Sequence, residues 1–172
     1  MTKKIGSPNA VVVGALFTLG LLMASYAGGQ GLLTRLPSPA PGNSSLSRVV
    51  ANEAGEIYLS WVSREAQQVT LEFARLTNDG WDATRVISRG SNWFVNWADF
   101  PVLSVDSSGM VAHWLQLSAA GNYDYDIRAR FYRQDKATWS EARTIHGDGV
   151  SAEHGFVSML PLNDGTTLIS WL

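Results

Sequence analysis

The chain contains no cysteine, which excludes a disulfide framework and any site built on thiolate ligands. Charge is sparse as well: 13 lysines and arginines stand against 15 aspartates and glutamates, a formal net charge of −2. No basic block occurs, so a nucleic acid finds no electrostatic footprint. A glycine-rich phosphate loop, a G-x-S-x-G elbow and an H-E-x-x-H spacing are all missing, which sets aside the reaction classes those arrangements serve and implies no cofactor. After residue 46 no segment carries a helical period. What is there is a globular composition, 45% hydrophobic, patterned for strands.

The N-terminus gives the compartment. Lys3 and Lys4 precede an apolar run from Ala10 to Ala27, and Ser25 and Ala27 make a small-x-small exit. A positive start, an apolar core and small residues at the end describe a secretory signal peptide over residues 1–27. An uncleaved anchor is the alternative, because about 18 residues can just span a bilayer. Either way the rest of the chain is expected to be exported, to the periplasm or the exterior, touching the membrane only through residues 10–27. Residues 28–45 are rich in Gly, Pro and Ser and read as a flexible leader.

From residue 46 to 172 the chain repeats itself. Arg48–Val62, Pro101–Leu115 and Phe156–Leu172 each run an apolar segment into a Gly-containing turn and out along an alternating strand, with Trp61, Trp114 and Trp171 in matching positions. Between them, Val69–Ser88 aligns with Ile127–His146 at an offset of 58, matching Phe73 to Phe131, Trp81 to Trp139 and Arg85 to Arg143. The unit is four antiparallel strands in about 55 residues, the sequence signature of a β-propeller blade. The expectation is an all-β partial propeller of about two and a half blades, truncated because a closed ring needs about four. A two-sheet sandwich is the alternative. Unpaired blade faces are expected to make the isolated chain aggregate.

The turns Asp135-Lys136-Ala137-Thr138-Trp139 and Asn78-Asp79-Gly80-Trp81 resemble shortened Asp-boxes, the S-x-D-x-G-x-T-W turns of bacterial sialidases and related propellers. Asn96–Pro101, Ala112–Leu115 and Glu153–Ser158 are similar to segments of exported sialidase-like proteins. The resemblance covers residues 46–172. It implies a six-bladed propeller that hydrolyses glycosides, with an arginine triad for the substrate carboxylate, an acidic proton donor and a Tyr/Glu nucleophile pair. Ser47-Arg48-Val49-Val50 retains the arginine of the family's F-R-I-P segment but not its Phe or Pro.

Blade topology places Arg89–Phe100, Gln116–Asp126 and Gly147–Gly155 at one end of the sheets, and function concentrates on such loops. There Asp99 and Glu153 each precede an innermost strand and are the candidate acid and base pair of a glycosidase, while either could equally bind backbone N–H groups. His154 is a candidate proton carrier; no ligand spacing accompanies it, so no metal is expected. Arg48, Asn96, Trp97, Tyr123 and Tyr125 are candidate substrate contacts, the aromatics suiting sugar stacking or a structural rim. His113 reads as a satisfied core histidine and His146 as a solvated one. The partner is then a glycan or another extracytoplasmic ligand, bound by a hydrolase or by a non-catalytic propeller.

Overall fold

A computed structural model describes residues 34–162 and 164–172, and the fold is that of the compact unit Leu36–Leu172. The signal segment and residues 28–33 of the leader lie outside the described residues. Among the described residues no helix is long and apolar enough to cross a membrane. The fold is all-β and antiparallel.

The first sheet is built from β1 (Ser44–Ala51), β2 (Ile57–Glu65), β3 (Gln68–Thr77), β4 (Gly80–Trp81) and β5 (Arg85–Gly90). Strands β1, β2, β3 and β5 form an up-and-down meander, and β4 closes a small hairpin on the end of β3. In β2 Tyr58, Ser60 and Val62 are buried on one face while Leu59 and Ser63 on the other are half-covered, and Trp61 is buried on that second face as well. The second sheet contains β6 (Trp93–Phe94), β7 (Val102–Val105), β8 (Gly109–Leu117), β9 (Tyr125–Arg133), β10 (Thr138–Trp139) and β11 (Arg143–Thr144). It repeats the meander, with β6 and β7 both pairing with β8 as one edge strand interrupted at residues 95–101. A third hairpin joins β12 (Ser158–Pro161) to β13 (Thr167–Ser170).

The two large sheets pack face to face. Tyr58, Val62, Leu71, Phe73 and Ile87 of the first meet Leu103, Met110, Ala112 and Trp114 of the second. Trp93 stacks on Trp114 with centroids 5.1 Å apart, and Trp139 meets Phe73 edge-on. Trp61 and Trp114 are buried at equivalent points of their sheets, whereas Trp171 is more open. The first strands adjoin in series, β1 beside β7 and β7 beside β12. Along the third hairpin Leu160 and Leu168 are exposed.

Two sequence alignments shift in the structure. Ser60 faces Phe73 in the first sheet, but its equivalent His113 faces Ala129, so β9 sits two residues from the register that matched Phe73 to Phe131. A shift of two keeps every side chain on its face, so hydrophobic patterning tolerates it. Strand β1 begins at Ser44, inside the expected leader, and Asn43 Nδ2 donates to the Arg64 carbonyl. In the Asp135 turn, Ala137 stands where an Asp-box has glycine and takes a left-handed φ of 48°.

Candidate functional site

The interrupted edge of the second sheet creates the site. Between β6 and β7 the chain bulges away and returns, held by Asn96: its Oδ1 accepts from the N–H groups of Ala98 (2.8 Å) and Asp99 (2.7 Å). Asn96 thus spends its acceptor on its own turn, as asparagine does in Asx-turns. Trp97 stands at the tip, 86% exposed. Asp99 points the other way and is 4% exposed.

Asp99 Oδ2 accepts the N–H of Phe156 at 3.1 Å and lies 3.4 Å from the Tyr125 hydroxyl. That hydroxyl donates to Glu153 Oε1 at 2.8 Å. One buried phenol therefore bridges two carboxyl groups. Tyr125 stacks on Phe94 at 4.4 Å, and Tyr123, 60% exposed, meets Phe94 in a tilted pair at 5.9 Å. Residues 153–156 come in close because residue 155 is glycine: a Cβ there would stand 2.3 Å from Asp99 Oδ2 and 2.8 Å from the Tyr125 hydroxyl. Phe156 completes the bend with φ of 53°.

Burial, and then the charge of Glu153, push the Asp99 carboxyl above its ordinary range, against the pull of its two hydrogen bonds. Burial also raises the Tyr125 hydroxyl far above a free phenol, so it stays protonated. The partners of Asp99 Oδ2, the Phe156 N–H and the Tyr125 hydroxyl, are structural.

The same loops build a second cluster. The ring of His146 lies parallel to that of His154, with centroids 3.8 Å apart and planes 14° from coincidence. His154 sets Nδ1 3.2 Å from the Tyr125 carbonyl and Nε2 2.9 Å from Asp148 Oδ2. His146 sets Nδ1 3.4 Å from Asp148 Oδ1 and Nε2 3.7 Å from Asp126 Oδ1. Asp148 reaches both rings because Gly149 turns the chain with φ of 70° and the Val150 N–H ties the aspartate back. Burial, the largest influence on His154, opposes its charge, but the contact with Asp148 and the Tyr125 and Ala152 carbonyls together outweigh it and raise its proton affinity. The same contact lowers the Asp148 carboxyl to about 2. Asp126, His146 and Asp148 line an open cleft of about 420 Å³ with Ser118, Thr144 and Ser151.

Of the residues singled out from sequence, the structure brings Asp99, Glu153, Tyr125 and His154 into one connected group and puts Asn96, Trp97 and Tyr123 on its border. Arg48 is not among them. It lines a separate cleft of about 180 Å³ with Val102, Ser104 and Met159, and pairs with neither carboxylate. His146 is not solvated: its side chain is 7% exposed. His113 is buried, as expected, but its Nδ1 has no hydrogen-bond partner. Sequence reasoning missed Asp126 and Asp148. The signal was a Gly-flanked run, His146-Gly147-Asp148-Gly149, followed by His154. It matches no fixed ligand spacing, because β9 supplies the remaining carboxylate. No protein-family model, curated protein or solved structure matches the chain.

Proposed function

We propose that this is an exported propeller-type protein whose loop end binds glycans. The observation that carries the reading is the pair of exposed aromatics, Trp97 and Tyr123, each two residues from a member of the buried Asp99–Tyr125–Glu153 group. A flat aromatic face covers the apolar side of a sugar ring, while carboxylates, hydroxyls and loop backbone accept and donate to its hydroxyl groups. The propeller part of the reading is supported by two stacked four-stranded meanders and a third hairpin whose first strands adjoin in series. The export part rests on the N-terminal residue pattern.

Hydrolysis is the second reading, and the shared Tyr125 hydroxyl favours it. Two carboxyls, Asp99 and Glu153, meet at one hydroxyl, glycosidases work with such a pair, and burial raises the Asp99 carboxyl in the direction a proton donor needs. Binding ranks first because Asp99 is almost fully buried and already accepts the Phe156 N–H. The test is a panel of sialylated and neutral oligosaccharides titrated into the full chain. A retained glycan, weakened about ten-fold or more by Trp97→Ala with Tyr123→Ala at unchanged melting temperature, is the expected result. Equal affinity in the double variant overturns the binding reading. Turnover of a bound glycoside that Asp99→Asn abolishes would put hydrolysis first.

A further inference from the structure

We infer that His146, His154 and Asp126, with Asp148 at the mouth of the cleft, form a binding site for a divalent transition-metal ion of the Zn²⁺ type. The inference is independent of the glycan reading, since it uses none of the aromatic side chains on which that reading rests.

The three residues each offer a ligand atom, and these atoms lie within 4.8 Å of one another. Ligand atoms around tetrahedral zinc stand about 3.3 Å apart, given bond lengths of about 2.0–2.2 Å. The set therefore needs to contract by an ångström or so. Its members sit at the start of β9, beyond β11 and in the following glycine-rich loop, and Gly147 and Gly149 give that loop room to close. Two imidazoles and a carboxylate are the ligand class zinc, nickel, cobalt and copper share, and one that magnesium and calcium avoid.

The surroundings of His154 make the second, independent argument. Its Nδ1 faces a backbone carbonyl, that of Tyr125. Ligating histidines are oriented in this way, with one ring N–H held by a carbonyl so that the other nitrogen keeps its lone pair for the metal. Yet the other nitrogen faces Asp148 Oδ2, a second acceptor. A ring with oxygen acceptors at both nitrogens satisfies both only as an imidazolium, or with a cation standing where the second proton would be. A metal ion between Nε2 and the carboxylates replaces that proton.

His146 lies beside the same carboxylates. Each of its nitrogens faces a carboxylate, Asp126 on one side and Asp148 on the other. Ile127 donates its N–H to Nε2 at 3.3 Å, and that bond yields if Nε2 ligates. The two rings stack at 3.8 Å, and one cation shared between them and the two carboxylates offsets the carboxylate charge. The cleft beside them stays open for a water or a ligand oxygen in the fourth position.

The chain suits a clean test, because it has three histidines and no cysteine, and the third histidine, His113, is buried on another part of the sheet. The full chain without a polyhistidine tag is stripped with a chelator and titrated calorimetrically with ZnCl₂, with MgCl₂ and CaCl₂ as controls. One Zn²⁺ per chain at micromolar affinity or tighter is expected, with no heat from Mg²⁺ or Ca²⁺. CoCl₂ should give the visible absorption of a tetrahedral N/O site. Asp126→Asn should weaken Zn²⁺ about ten-fold or more and His146→Gln further still. Asp126 is the primary variant, because it makes no short contact and its loss should leave the fold intact, which near-ultraviolet circular dichroism checks. A folded wild-type chain that takes up no Zn²⁺, or equal Zn²⁺ affinity in a folded Asp126→Asn variant, overturns the assignment and leaves the cluster as a charged clasp for the loop.

Discussion

Acidification should destabilise this protein through His113, a histidine that sits far from both loop clusters. His113 lies in the middle of β8, paired across the sheet with Val102 and Ala129, and is 1% exposed. Its Nδ1 has no partner. Burial, with a smaller contribution from the positive charge of Arg48, depresses its pKa from 6.5 to about 4. The unfolded chain therefore takes up a proton near pH 6.5 that the folded chain refuses until about pH 4. Below pH 6.5 the unfolded state binds more protons, so stability is full above that value and falls as pH drops. At about 1.4 kcal/mol per pKa unit the whole effect is about 3.5 kcal/mol, of which between about 2 and 3 kcal/mol should be gone by pH 4.5. The assay is urea denaturation of wild type and His113→Leu at pH 7.5 and pH 4.5. Leucine removes the titrating ring and leaves no unpaired nitrogen, so at pH 7.5 the two proteins should lie within about 1.5 kcal/mol. Other carboxylates and histidines titrate in the same window, and the difference between the two proteins cancels them. Parallel losses of stability in wild type and His113→Leu would refute the reasoning.

Three further substitutions probe the packing that positions the loops. Gly155→Ala drives a methyl into Asp99 and the buried Tyr125 hydroxyl, and should cost about 1–3 kcal/mol by urea denaturation; an unchanged midpoint would mean the two side chains move aside freely. Trp114→Ala removes the ring that stacks on Trp93 between the sheets and should cost about 3–5 kcal/mol, enough to be read as a large drop in melting temperature. Ala137→Gly relieves a left-handed residue, which costs about 1–2 kcal/mol in an L-amino acid. Set against the added freedom of the unfolded glycine, the net gain should be about 0.5 kcal/mol. A lower melting temperature for Ala137→Gly would show that the turn is held by something other than this φ angle.

The strands were legible because their signal is local. Apolar runs in Ile57–Glu65 and Gly109–Leu117, with Gly55, Gly109 and Gly165 at the turns, mark hairpins without reference to any distant residue. The three matched tryptophans likewise announced a repeated unit. The register of β9 was not legible, because a two-residue slip leaves the inward and outward faces unchanged. The same ambiguity hid the interruption between β6 and β7: the run from Trp93 to Val105 is apolar at both ends, and only its pairing with β8 shows that residues 95–101 leave the sheet.

Site chemistry divides along the same line. The sequence by itself determined which residues sit on loops at one end, and so pointed to Asp99, Glu153, His154, Trp97 and Tyr123. Tertiary structure decided what those residues face. Asp99 turns inward to Tyr125 and Phe156 because Gly155 lets the later loop approach. His146 and His154, eight positions apart, stack because the intervening loop folds back beside the start of β9. Asp126 meets them from a strand twenty residues earlier in the chain. Local patterning fixes the period of a strand and the place of a turn, since both depend on neighbours in sequence. The partners of a buried carboxyl or an imidazole are set by which backbones come together, and that is decided only when the sheets pack.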